Sequence, residues 1–143
     1  MGLYLNSKKP YTIYRDVVSS TYFVDKTAML LDLIPLLEPV LNETDRGRRA
    51  ESRGNKYICL TRPRRFGKTL AASMIASFFG RGRDARGLFE RLQICRNDGF
   101  ERHLNRHDVI YIAFNEAPAG CADYRQYIDR IQERLVSDLM REY

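Results

Sequence analysis

The sequence predicts an α/β fold, a parallel sheet flanked by helices with a helical lead-in. Three observations carry this expectation. A short apolar run at 56–61 feeds a tight turn ending at Gly67, and a helix-forming segment follows at once, to about Phe79. A second, near-continuous apolar run occupies 109–114, the pattern of a strand buried on both faces of a parallel sheet. A further amphipathic segment starts at Asp123. Strand, helix, strand, helix is the order of a parallel α/β unit, and right-handed crossovers place its helices on the sheet faces.

Each element has its own signal. Residues 1–24 mix aromatic and β-branched residues with Asn6, Ser7, Lys8, Lys9 and Pro10, which predicts an irregular or extended lead. From 27 to 41, Met29, Leu30, Leu33, Ile34, Leu37 and Val40 fall at helical spacing. Pro35 is expected to kink or split that helix, because it lacks an N–H and crowds the preceding turn. Residues 42–55 are polar, arginine-rich and aperiodic, a surface loop.

In the helix after Gly67, Leu70, Met74, Ile75, Phe78 and Phe79 form an apolar stripe, with Gly80 placed to end it. The basic turn at 80–87 carries Arg81, Arg83 and Arg86, and 89–92 brings Phe89 and Leu92 to the core. Pro118 and Gly120 end the second apolar run. Beyond Asp123, Tyr124, Ile128, Ile131, Leu135 and Leu139 share a helical face, with Arg125–Asp129 and Arg134–Asp138 as i,i+4 pairs.

Length and composition set the outer limits. A chain of 143 residues is enough for one domain with a real core, and 44% hydrophobic with 29% charged residues excludes disorder. Only two clear strands are present, too few for a complete sheet. Residues 1–143 are therefore expected to be an incomplete domain: 1–55 a lead-in segment, helix and loop, and 56–143 strand, turn, helix, strand and helix.

The net charge is +6, and 16 of the 24 Lys and Arg lie within 46–106 against five of the 18 acidic residues. A basic middle of this kind favours anionic partners, nucleotide or nucleic acid, unless it is simply a solvated surface. The three cysteines, Cys59, Cys95 and Cys121, form no C-x-x-C pair, so neither a disulfide framework nor a zinc knuckle is expected. Cys59 reads as a buried strand residue. No apolar signal core opens the chain and no run reaches transmembrane length, so the expected location is the cytoplasm, with no membrane partner.

Chemistry concentrates in Thr61-Arg62-Pro63-Arg64-Arg65-Phe66-Gly67-Lys68-Thr69. A strand, a loop closing on Gly-Lys-Thr and a helix is the arrangement of a phosphate-binding P-loop, and the sheet is then the first half of a P-loop NTPase-type sheet. Gly67 lets the backbone approach a phosphate, Lys68 reaches the β- and γ-phosphates, and Thr69 offers a hydroxyl to Mg²⁺. The first glycine of G-x-x-x-x-G-K-[ST] is replaced by Arg62, and Pro63 removes one N–H.

The nine residues 61–69 resemble the T-R-P-R-R-F-G-K-[ST] signature of the AAA-ATPase-like family of prokaryotic proteins, in which the Arg-Pro-Arg-Arg-Phe stretch replaces the usual glycines. Tyr22-Phe23-Val24-Asp25-Lys26-Thr27 is similar to the family's Y-F-V-D-K-[ST] block. The helix ending in Phe78-Phe79 and the Leu88-Phe89-Glu90-Arg91-Leu92 turn also resemble the family's, so the likeness spans most of 11–116. The resemblance implies an ATP-binding core with ATP and Mg²⁺ as ligands. It places Arg64, Arg65, Phe66, Gly67, Lys68, Thr69 and Leu70 around the nucleotide, with Thr69 on the metal. In the family a later strand ends in an acidic L-I-D-E-Y-D type motif and a nuclease-like domain often follows. Residues 1–143 contain neither, so nucleotide binding is expected of this chain and hydrolysis is not.

Several residues keep two readings. Asp25, with Phe23 and Val24, either lines the base side of the nucleotide or caps the next helix. Arg62, Arg64 and Arg65 serve as phosphate clamp, partner contact or internal carboxylate pair. Glu116 follows an apolar run as an acidic strand end does, but Asn115 stands where the metal-water carboxylate would be. His103 and His107 have helical i,i+4 spacing without a third ligand in sight. The alternatives to ATP binding are a nucleic-acid-binding module using the basic middle, and a scaffold that binds nothing.

Overall fold

A computed structural model describes residues 2–38, 57–61, 63–65, 67–114 and 120–143. Among these residues the chain is helical, and the expected α/β parallel sheet is absent. The helices are α1 (Lys8–Val18), α2 (Met29–Leu37), α3 (Lys68–Phe79), α4 (Arg86–Phe89), α5 (Gly99–His103) and α6 (Tyr124–Glu142). A 3₁₀ turn, Gln93–Arg96, lies between α4 and α5.

Neither apolar run is paired into a sheet among the described residues. Residues 57–61 belong to no strand or bridge among the described residues, with Tyr57 94% and Ile58 60% exposed, and Cys59, expected to be buried, is exposed too. The run at 109–114 makes one antiparallel bridge, Leu5 to Ile110, and residue 107 makes one parallel bridge to Gly80. Asn6 N donates to the Val109 carbonyl at 2.9 Å and Tyr111 N to the Tyr4 carbonyl at 2.9 Å. The amino-terminal segment thus takes the hydrogen bonds a sheet neighbour would use. An apolar run fixes burial preference, not pairing, and pairing is what makes a strand.

The lead expected to be irregular contains α1 instead. Ser7 caps it, its hydroxyl accepting from Lys9 N at 3.3 Å, and Pro10 falls in the first turn, where its missing N–H has no partner to lose. The helix buries Pro10 and Tyr14 and packs along α3. Proline also fails to split α2: the helix runs through Pro35 and ends two residues later, burying Leu30 and Ile34.

These helices enclose one core. Phe78 of α3 is fully buried at its centre, with ring centroids 5.0 Å from Phe79, 5.3 Å from Phe89 and 5.9 Å from Phe100. Tyr14 stacks on Phe89 at 5.0 Å. The end of α3 is closed by Asn105, which adopts φ 55°, a region Asn tolerates better than most residues. Its amide donates to the Ser77 and Gly80 carbonyls at 3.1 and 2.6 Å, and its Oδ1 accepts from Ala85 N at 2.8 Å.

Helix α6 begins as its sequence predicts, with Asp123 accepting from Gln126 N at 2.8 Å. Its buried face is rotated from the expected one: Tyr127, Ile131 and Asp138 are buried, while Tyr124 and Leu139 are exposed. The Asp138 carboxylate turns inward rather than toward Arg134, and accepts from Tyr4 N at 2.7 Å and Leu5 N at 3.2 Å. Desolvation pushes this carboxyl up, but the amides of Tyr4, Leu5 and Leu3 outweigh it and the net shift is downward. A Cβ on Gly2 would collide with the carboxylate, so glycine there permits the close approach. A second tie closes the carboxyl end, where Asp108 accepts from Tyr143 Oη at 2.6 Å and pairs with Arg81 at 2.6 Å.

The Tyr14 hydroxyl is buried without a hydrogen-bond partner among the described residues. Burial, reinforced by the Asp25 carboxylate, pushes the phenol well above its ordinary range. Removing an orphan polar atom while keeping the ring is expected to leave stability unchanged or raise it by about 1 kcal/mol. Urea denaturation of Tyr14→Phe measures this; a clear loss of stability would mean that the hydroxyl has a partner.

Candidate functional site

The site is built around the start of α3. Gly67 occupies its N-cap with φ 79° and ψ 19°, a left-handed conformation that L side chains rarely adopt. Its carbonyl accepts the first helical bond, from Ala71 N at 2.9 Å. Glycine supplies no capping side chain, and α3 has no acidic residue in its first turn. The first amides of a helix have no acceptor within it, and together with the helix dipole they favour an anion. A Cβ at Gly67 would meet nothing within 4 Å, so the backbone here borders open space.

The preceding turn holds Arg64 and Arg65, both exposed, and Arg65 too has a positive φ of 66°. Such backbone is uncommon for a non-glycine residue. Lys68 and Thr69 are exposed in the first turn of α3, and Leu70 is half-buried behind them. Arg62 and Phe66 lie outside the described residues, as do Asn115 and Glu116.

Beside this turn lies an apolar cavity of about 350 Å³. One side is α3 and its entry, with Leu60, Gly67, Leu70, Ala71 and Met74. The other is Tyr14 of α1, the segment carrying Phe23, Val24 and Lys26, and Met29 of α2. The volume lies within the roughly 300–1,000 Å³ range of small-molecule sites. Two segments singled out in the sequence, 22–27 and 61–69, therefore meet at one cavity. Sequence reasoning missed Tyr14, Lys26, Met29, Leu60, Ala71 and Met74 as its lining. Spacing alone marks most of these as core residues.

Asp25 does not line the cavity. Its Oδ1 accepts from Thr27 N at 2.8 Å and Thr27 Oγ1 at 2.7 Å, and its Oδ2 from Gln93 N at 2.7 Å. Thr27 Oγ1 in turn accepts from Ile94 N at 3.2 Å. Desolvation raises the Asp25 carboxyl, yet the bonds from Gln93 and Thr27 prevail and lower it overall. The residue staples the 25–27 turn to the 3₁₀ segment, which fixes the backbone on either side of Lys26.

The other candidates resolve into local contacts. His103 closes α5 and His107 lies beyond the Asn105 turn, so the two do not share a helix. Their rings stack at 5.2 Å with His103 Nδ1 2.9 Å from His107 Nε2, and His103 Nε2 lies 3.3 Å from a Glu38 oxygen. Burial, then the neighbouring His103, lower the His107 imidazole, and Asp108 offsets them only in part. Among the described residues no group of three or more His, Cys, Asp or Glu side chains is placed to hold a metal ion. Several arginines of the basic middle have internal partners: Arg81 with Asp108, Arg86 with Glu101 at 2.6 Å, and Arg102 with Glu38 at 2.8 Å. Arg83 lies 4.9 Å from the centre of the Tyr11 ring. No helix among the described residues is long and apolar enough to cross a membrane.

An apolar cavity that meets an uncapped helix N-terminus has the form of a site for a small molecule with an apolar body and an anionic end. Residues 14–143 match the family model described as Predicted AAA-ATPase, and the chain belongs to this AAA-ATPase-like family. No curated protein and no solved structure matches it.

Proposed function

We propose that this chain binds ATP with Mg²⁺ at the start of α3. The observation that carries the proposal is the junction of the apolar cavity with the Gly67 turn. A purine fits against Phe23, Val24 and Met74, while the amides after Gly67 receive the phosphates. The residues fit such a ligand: Gly67 leaves open space where a side chain would stand, and among the described residues no carboxylate lines the cavity to repel an anion. Lys68 neutralises the phosphates as a compact cation, and Arg64 and Arg65 stand on the turn that leads to them. Thr69 supplies one oxygen to Mg²⁺, which takes most of its remaining ligands from phosphate and water.

Phosphoryl transfer needs positioning, charge neutralisation and a group that orients water. The first two are the roles assigned to these residues, so the proposal is of binding. The internal pairing of Arg81, Arg86 and Arg102 favours a nucleotide over a polymer as the anionic partner.

The test is competition between Mg-ATP and a single-stranded oligonucleotide between about 50 and 200 mM salt. The expected result is one ATP per chain, not displaced by the oligonucleotide. Displacement with a steep salt slope would instead indicate a nucleic-acid module, and a folded chain that binds neither would be a scaffold without a ligand.

A further inference from the structure

We infer that Lys26 is a second cation of the nucleotide site, contacting the phosphates from the 23–29 segment of the cavity lining rather than from α3. This inference rests on the nucleotide reading proposed above and adds a residue to it. Among the described residues that line the cavity, Lys26 is the one with a charged side chain. The other lining residues among those described are apolar, apart from Tyr14 and Gly67.

The Lys26 side chain is exposed at the cavity wall, with its ammonium open to a ligand. No ion pair is formed by its ammonium among the described residues, and the nearest acid in sequence, Asp25, is committed to Thr27 and Gln93. That commitment also fixes the lysine's origin. The Asp25 staple holds the turn, and the Lys26 carbonyl accepts from Met29 N at 3.2 Å at the entry to α2. A lysine stem lies readily along apolar surface while its head seeks charge. The cavity that it lines ends at Gly67, where an anion is favoured. The ligand class that satisfies both features is an apolar ring joined to a phosphate chain.

The experiment is a titration of the full chain with Mg-ATP and Mg-ADP, comparing the unaltered protein with Lys26→Gln, Lys26→Arg and Lys68→Ala. Lys26 is exposed, so its variants are expected to keep the thermal melt of the parent. The expected result is that Lys26→Gln weakens both nucleotides by roughly tenfold, while Lys26→Arg, which keeps the charge, stays close to the parent. Parental binding by Lys26→Gln together with a loss in Lys68→Ala would overturn the inference and leave the nucleotide site standing. Equal losses in Lys26→Gln and Lys26→Arg would overturn the role of charge. No ATP binding by the unaltered chain would overturn both readings.

Discussion

Replacing Phe78 with alanine is expected to lower the stability of the chain by about 3–5 kcal/mol. Phe78 is fully buried and meets three other aromatic rings, so its loss removes contacts from α3, α4 and α5 at once. Phe→Ala substitutions in cores cost about 3–5 kcal/mol, because a cavity remains that neighbours fill only in part. Against a total stability of about 5–15 kcal/mol that is a large share. The effect also reaches function, since α3 carries the candidate site on its first turn. Circular dichroism and urea denaturation measure the loss; a variant as stable as the parent would contradict the placing of Phe78 at the centre of the core.

Lys68→Ala is expected to lower affinity for Mg-ATP by roughly ten- to a hundredfold with the helical content unchanged. A charge-assisted contact to phosphate is worth about 1.5–3 kcal/mol in affinity. Lys68 is exposed at the first position of α3, away from the core, so its truncation is not expected to unfold the helix. A loss of affinity accompanied by a lower melting temperature would point to a structural role instead. Unchanged affinity would remove Lys68 from the site.

The contrast between those residues reflects what a sequence can disclose. Helices α3 and α6 were legible because local signals define them: the spacing of Met74 and Phe78, Gly80 after Phe79, and Asp123 as a cap. Helix α1 was obscured by Pro10, which reads as a breaker until Ser7 is recognised as the cap that puts it in the first turn. The sheet was misread because 57–61 and 109–114 are apolar in the manner of strands. Their hydrogen-bond partners are set by tertiary structure, and Tyr4 and Asn6 supply those of the second run.

The same division runs through the site. Gly67, Lys68, Thr69 and Leu70 are contiguous, so their shared location follows from chain order. The cavity draws on Tyr14, Val24, Leu60 and Met74, which only folding brings together. The i,i+4 spacing pairs Asp138 with Arg134. The inward role of Asp138 depends on the amides of Tyr4 and Leu5, which donate to it across the fold and which a local pattern does not reveal. Asp25 sits in a block that resembles a nucleotide-binding family's, yet its hydrogen bonds show a staple.

The most direct measurement is a calorimetric titration of the chain with ATP in the presence of Mg²⁺. The account predicts saturable binding at one site per chain, weakened when Mg²⁺ is chelated. Absence of heat and of competition from a chain shown to be folded would contradict it.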